Sequence, residues 1–269
     1  MASQDEVKKN FQENLKALEY YDEVMKLFNA WKIYYEITGS FISDVLKSRR
    51  FTGKKLLEIG SGPTVHNIAC ASAYFDIIVQ SDFVENNVEN LKRWHKQLST
   101  LDWTEMLNIP AALEDFRNDI NIVRKNMESR IRDKVKAVVR CDILSDEVLR
   151  IEELPTDARP PYDLIISILC LEVPCANFDE FVNVLKRVNK LLRKGGGLII
   201  ASVHDVEVWY VGKKAFPNLR IDLKDITLAL DKAGFGNHDV KKFSPVKLDY
   251  PMEYAGYYCI AAEKLSETD

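Results

Sequence analysis

Three acidic residues stand where a carboxylate can meet a ligand. Asp82 closes the run Phe75-Asp76-Ile77-Ile78-Val79-Gln80-Ser81, Asp142 follows Lys136-Ala137-Val138-Val139-Arg140-Cys141, and Glu172 ends the long apolar run that begins at Tyr162. Ahead of them, Leu56-Leu57-Glu58-Ile59 runs into Gly60-Ser61-Gly62-Pro63-Thr64. Glycines allow positive φ and leave no Cβ between backbone and ligand. A loop of that kind after a buried strand can turn its N–H groups toward a bound cofactor. Asp82 lies 22 residues after Gly60. Dinucleotide-binding sheets place a ribose-binding acid at about that distance, roughly 20 residues on, and one carboxylate can accept from both ribose hydroxyls. Asp142 is placed to meet an adenine amino group, with Cys141 and Ile143 lining the ring. Glu172 stands at the carboxyl end of a strand buried on both faces, where open parallel sheets hold their ligands. Each acid also has a plainer reading, as a turn or helix-start carboxylate. The glycine pattern is incomplete, because Val65 stands at the third glycine position of Gly-x-Gly-x-x-Gly and Pro63 removes an N–H donor.

The elements that must position these residues follow from hydrophobic periodicity. Residues 5–50 read as helical throughout, with Leu15, Leu18, Met25, Phe28, Trp31, Tyr35, Ile42 and Leu46 at helical spacing. Two tyrosine pairs, Tyr20-Tyr21 and Tyr34-Tyr35, belong either to the core or to an aromatic lid. Strands are expected near 55, 76, 137, 163 and 198, with two more over 239–243 and 256–263. Helices are expected from His66 to Ala73, over 88–98, over 111–132 as one or two pieces, over 178–192 behind an Asn177 cap, and over 222–233. Residues 205–216 read as a loop or short helix over the end of the sheet, and 266–269 as a disordered tail. Strands alternating with helices predict an α/β fold: a doubly wound, Rossmann-like sheet with helices on both faces and an antiparallel edge strand. The helical segment 1–50 is expected to form a cap or lid on a domain spanning 51–269, as a single compact unit.

The 269 residues are 46% hydrophobic and carry a net charge of −4. An acidic chain of this size is a poor match for a protein that grips nucleic-acid phosphates. No run approaches the roughly 18 apolar residues of a membrane span, and the polar opening carries no signal core. Five cysteines without Cys-x-x-Cys spacing point to reduced, buried thiols. A cytoplasmic monomer without a metal site is expected.

The finer motifs resemble a known family. Leu56 to Thr64, Ser81-Asp82-Phe83 with Asn86-Asn87, Leu101-Asp102-Trp103, Arg140-Cys141-Asp142, Leu169-Cys170-Leu171-Glu172 and Trp209-Tyr210-Val211-Gly212 look like the nicotinamide, phenylethanolamine and indolethylamine N-methyltransferases. These are class I methyltransferases that use S-adenosylmethionine. The resemblance implies that Gly60, Ser61, Gly62 and Thr64 surround the methionine end of the cofactor. It places Asp82 on the ribose, Phe83 and Asn87 beside the adenosine, Asp142 and Ile143 at the adenine, and Ile168 in the same cleft. Tyr20 and Tyr21 match a tyrosine pair that closes over the cofactor, although a further family tyrosine falls on Lys16. His66 replaces a usual tyrosine. Ser202 and Val206 replace residues of the nicotinamide-specific pocket, whereas Glu172 matches the acid that phenylethanolamine-type members hold near the amine. On the acceptor side the resemblance implies Glu172, Ser202, Asp205, Trp209 and Glu253, with Glu172 catalytic.

The expected function is therefore S-adenosylmethionine-dependent N-methylation of a small amine, of biogenic or aryl-alkyl type rather than nicotinamide. Competing readings are a cofactor-binding sensor or interaction protein without catalysis, a nicotinamide or pyridine N-methyltransferase, and, on the glycine loop alone, a dinucleotide oxidoreductase.

Overall fold

The computed structural model describes residues 4–245 and 253–267. Seven strands form the main sheet: β1 (Lys55–Ile59), β2 (Ile77–Asp82), β3 (Val135–Arg140), β4 (Tyr162–Ile168), β5 (Leu192–His204), β8 (Phe235–Phe243) and β9 (Gly256–Lys264). Their order is β3-β2-β1-β4-β5-β9-β8. The first five strands run parallel, and β9 is antiparallel to both of its neighbours. The antiparallel strand thus sits one place in from the edge. The order reverses between β1 and β4, and there the carboxyl ends of the strands splay apart to leave a crevice.

Alternation along each strand feeds two cores. Leu56, Leu164, Ile166, Ile199 and Ala261 point to one face, and Leu57, Ile165, Leu198, Ile200 and Ile260 to the other. On the first face lie α2 (Ala17–Lys47), α3 (Glu85–His95), α4 (Thr104–Glu114) and α5 (Ile120–Lys134). On the second lie α6 (Phe178–Leu191) and α7 (Leu223–Lys232). Helix α6 starts as its sequence dictates. The Asn177 side chain accepts from the Glu180 N–H at 2.9 Å, and the Glu180 carboxylate accepts from the Ala176 N–H. Helix α2 is a full layer of the fold. Its residues Phe28, Tyr34, Phe41, Ile42, Val45 and Leu46 are buried in the first core. A short helix, α1 (Gln4–Asn14), precedes it and crosses the mouth of the crevice.

Two local expectations are corrected. No α-helix follows the glycine loop; only a single tight turn forms at Ala71–Ala73. Ile68, Ala69, Cys70, Ala71 and Ser72 are buried in succession, which leaves no alternation of buried and exposed faces for an amphipathic helix. Residues 205–216 hold neither loop nor helix but a hairpin, β6 (Val208–Val211) with β7 (Lys214–Pro217). Val, Trp and Tyr at 208–211 suit a pleated surface, Gly212 turns at φ +59°, and Trp209 stacks on Phe216 with ring centroids 4.8 Å apart. In the tail, Ser266 and Glu267 are held by hydrogen bonds to Gly234 and Lys264; residues 268–269 lie outside the described residues, as do 1–3.

One glycine fixes the seam between α2 and the sheet. A Cβ on Gly197 would stand 2.4 Å from the Phe51 ring, which is itself buried. Gly197→Ala is expected to lower stability by about 2 kcal/mol or more, read as a drop in the urea midpoint at unchanged slope.

Candidate active site

The crevice above β1, β2 and β4 is one continuous cavity. Gly60, Ser61, Gly62, Thr64, Asp82, Phe83, Asn87, Asp142, Ile143, Ile168 and Tyr20 all line it. The glycine loop hooks onto β2, with the Gly60 and Ser61 N–H groups both donating to the Ser81 carbonyl at 2.9 and 3.0 Å. Gly60 and Gly62 sit at φ +76° and +59°, where a side chain is strained. The Asp82 carboxylate is held from three sides. Oδ2 accepts from the Gly62 N–H at 2.8 Å, and Oδ1 from the Val84 N–H at 2.8 Å and Asn87 Nδ2 at 3.0 Å. It is aimed along the crevice by its own donors, and burial pushes its pKa up against their pull.

A ribose-bearing cofactor fits these residues. Asn87 is buried, its Oδ1 has no hydrogen-bond partner among the described residues, and it lies beside Asp82. An orphaned acceptor next to an oriented carboxylate suits a pair of hydroxyl donors. The Asp142 end of the crevice is closed by α1. Lys8 Nζ lies 2.6 Å from Asp142 Oδ2, Gln12 Nε2 donates to the Phe83 carbonyl at 2.6 Å, and Phe11 packs on Phe216. One Asp142 oxygen is thus shared with Lys8, a contact the sequence did not announce.

The Ser61 hydroxyl turns away from the cleft. It donates to Glu58 Oε2 at 2.7 Å, leaving its backbone to line the cavity. Gln80 Nε2 donates to the same oxygen at 2.8 Å, and Gln80 Oε1 meets His95 Nε2 at 2.7 Å. Glu58 is fully buried beneath the loop, and desolvation raises its pKa to about 7. The folded state therefore holds a proton that the unfolded chain releases near pH 4.5. Stability contributed by this group falls as pH rises from about 4.5 to 7, by on the order of 3 kcal/mol, and is level above that. Glu58→Gln keeps an acceptor for Ser61 and removes the titration. The variant is expected to hold its melting temperature across pH 5–7.5 better than the wild type, as scanning calorimetry at matched pH would reveal.

A second cavity adjoins the first under α2. Glu172, Ser202, Val206, Trp209 and Tyr210 form its floor and wall, and Tyr20, Trp31, Tyr34 and Tyr35 its roof. Tyr20, Tyr34, Tyr35 and Trp209 line both cavities, so the two meet there. Glu172 is buried. Its Oε1 accepts from Ser202 Oγ, and among the described residues it has no cationic partner. Burial raises its pKa, opposed by the Ser202 hydrogen bond. A carboxylate held this way invites a cation or takes a proton.

The other sequence-derived candidates fall elsewhere. Tyr21 lines neither cavity. Its ring meets Trp103 edge-on at 5.0 Å and its hydroxyl donates to the Asp102 carbonyl. Adjacent residues on a helix point about 100° apart, and at this pair Tyr20 turns to the cavities while Tyr21 turns to Trp103. Asp205, at φ +61°, turns to His204 and Arg220. Glu253 is exposed and lines neither cavity. His66 lines the first cavity with Nδ1 unpartnered among the described residues, and burial lowers its pKa to about 4, so the ring is neutral. Of the roof residues, Tyr34 and Tyr35 belong to the pair expected as core or aromatic lid, and they line the cavity; Trp31 reads from the sequence only as part of the helical pattern. Their i, i+3, i+4 spacing with Tyr20, Val24 and Leu27 was the available signal, since it makes one helix face.

The NNMT/PNMT/TEMT family model matches residues 1–265. The chain belongs to that family. Human nicotinamide N-methyltransferase is 28% identical over 218 residues, covering 80% of this chain and 78% of that protein. Indolethylamine N-methyltransferase of Oryctolagus cuniculus is 30% identical over 186 residues, 68% and 66% of the two chains. Human phenylethanolamine N-methyltransferase is 27% identical over 194 residues, 71% and 66%. Among solved structures, magnesium protoporphyrin IX methyltransferase from Synechocystis PCC 6803 with bound SAH superposes at a TM-score of 0.57. It is 12% identical and covers 97% of this chain and 100% of that one. The DhpI–SAH complex superposes at 0.54, with 12% identity and 96% and 97% coverage. The fold is that of the class I methyltransferases, and S-adenosylmethionine is the cofactor of the NNMT/PNMT/TEMT family. No described helix is long and apolar enough to cross a membrane. No group of metal-ligating side chains occurs among the described residues.

Proposed function

We propose that this member of the NNMT/PNMT/TEMT family methylates the nitrogen of a small amine that enters as an ammonium ion. The observation that carries the reading is Glu172: a buried carboxylate without a cationic partner among the described residues, in an aromatic cavity that joins the cofactor cleft. A neutral pyridine such as nicotinamide would leave that carboxylate unmatched. An ammonium neutralises it and gains attraction from the faces of Trp31, Trp209 and the tyrosines.

S-adenosylmethionine supplies an electrophilic methyl group carried on a sulfonium. The Asp82 carboxylate and Asn87 Oδ1 would hold its ribose hydroxyls, Asp142 and Ile143 its adenine, and the backbone of 60–64 its methionine end. The protein's contribution to rate is alignment of the nitrogen with the methyl carbon, worth up to about 7–11 kcal/mol in favourable cases. An ammonium has no lone pair, so one proton must leave first. Ser202 fixes Glu172 by one oxygen, and the ionised carboxylate accepts the proton from the bound ammonium. Its burial makes it a stronger base than an exposed glutamate.

The test is a methyl-transfer screen with labelled S-adenosylmethionine against nicotinamide, pyridines, phenylethanolamines, tryptamine, other amines and thioethers. Transfer to a primary or secondary amine, lost in Glu172→Gln, is expected. Transfer to nicotinamide or a thioether alone, indifferent to Glu172, would refute the reading.

A further inference from the structure

The acceptor cavity holds a second carboxylate. Glu23 lines it from the roof, with its side chain only 14% exposed. Its one ion-pair partner among the described residues is Lys26, at 3.5 Å. Lys26 is 70% exposed, so that pair is screened by water and weak. Glu23 is therefore available to a stronger cation inside the cavity.

The two acids occupy different parts of the same space. Glu172 belongs to the floor, in the turn just after β4 ends at Ile168, and Ser202 of β5 fixes it there. It lies close enough to Tyr34 to raise the pKa of that phenol, although burial contributes more to the shift. Glu23 stands eleven residues before Tyr34 on the continuous helix α2, which is roughly 16 Å along the helix axis. Between them the roof is Val24, Leu27 and Trp31, and the opposite wall is Val206, Trp209 and Val211. No Lys, Arg or His lines this cavity among the described residues.

The Tyr34 hydroxyl adds an independent sign of a ligand. Tyr34 is 2% exposed and lines the cavity, and its hydroxyl has only the Thr38 hydroxyl near it, with no well-formed hydrogen bond among the described residues. A buried hydroxyl left unpaired costs free energy, and an N–H or a second hydroxyl on a bound acceptor would satisfy it.

We infer that the acceptor is a diamine or longer polyamine, its reacting nitrogen at Glu172 and a second, distal cationic nitrogen at Glu23, joined by an apolar spacer. The inference rests on the amine-methylation reading and adds the second charge. The anionic ends match two ammonium groups, and the aliphatic and aromatic middle matches methylenes. A simple monoamine leaves Glu23 with only its exposed partner. The proton lost from the reacting ammonium goes to Glu172, and the distal ammonium stays protonated throughout.

The experiment compares α,ω-diaminoalkanes of three to twelve carbons with 1-aminoalkanes of the same lengths, in wild type and Glu23→Gln. One arm measures initial methyl-transfer rates. A second arm measures amine binding by calorimetry on protein saturated with S-adenosylhomocysteine. The wild type is expected to prefer a diamine of one optimal length about 10-fold or more over the matching monoamine, through KM rather than kcat. Glu23→Gln is expected to erase the preference, so that the two amines are used alike. A wild type without a diamine preference, or a preference that survives Glu23→Gln, overturns the proposal. If no amine is methylated, the reaction reading fails, and the calorimetric arm still decides: a diamine that binds wild type and Glu23→Gln equally overturns the second-carboxylate assignment as well.

Discussion

Glu172→Gln is expected to cut kcat/KM for an amine acceptor by on the order of 10²- to 10⁴-fold at neutral pH, while cofactor affinity stays within about twofold. The glutamine keeps the volume and can still accept from Ser202, so the cavity survives. What it loses is the negative charge and the site for the proton. The pH dependence separates this role from a structural one. Burial raises the Glu172 pKa above its ordinary value near 4.5. At low pH the folded enzyme therefore carries a neutral carboxyl that cannot accept a proton. Activity in the wild type should rise with pH as Glu172 ionises and then flatten. In the variant only amine already deprotonated in solution can react. Its log kcat/KM should keep climbing, with a slope near one, toward the pKa of the amine itself. Stopped initial-rate assays from pH 5.5 to 10 would resolve the two profiles. Parallel profiles in wild type and variant would show that Glu172 holds the cavity in shape and handles no proton.

Much of this architecture was legible because its signals are local. The inner sheet strands are apolar runs, whereas β8 is largely polar and exposed, and the period-two alternation is visible at Leu198-Ile199-Ile200-Ala201, whose side chains split between the two cores. The acids at strand ends were legible for the same reason, since the carboxyl ends of parallel strands are where the crevice forms. What escaped depends on direction or on distant partners. Residues 66–73 carry apolar spacing that suits a helix, but the five consecutive residues 68–72 are buried together and the segment folds as turns. The 208–217 hairpin draws its stability from Trp209 and Phe216 packing on Phe11, nearly 200 residues earlier in the chain. Ser61 belongs to the right loop, yet its hydroxyl answers to Glu58 and not to the cleft. Glu23 reads as an ordinary solvated helix charge until the roof it belongs to is assembled over Glu172. Side-chain direction, rather than element type, is what separated the legible half of the site from the rest.

Gly60→Ala tests how tightly the cofactor loop is built, and it is expected to weaken cofactor binding by about 100-fold or more. Two separate penalties act at this position. The backbone sits at φ +76°, where an L side chain costs about 1 kcal/mol. The added methyl would also stand 2.2 Å from Cys170 Sγ and 2.5 Å from Cys170 Cβ. That contact cannot be relieved by rotating a side chain, because the Cβ is itself in the way. Either the glycine loop or the turn after β4 must move, and these carry Gly62 and Glu172. Loop displacement also pulls on the Gly62 N–H bond that orients Asp82. The steric share can be isolated. Cys170→Gly leaves only its Cα, 3.9 Å from the new methyl, so Gly60→Ala/Cys170→Gly should recover most of the lost affinity relative to Cys170→Gly alone. The residual deficit should be about tenfold or less, the share owed to the backbone conformation. Calorimetric titration with S-adenosylmethionine reads both. A double variant as weak as Gly60→Ala would place the whole cost in the backbone and none in the contact with Cys170.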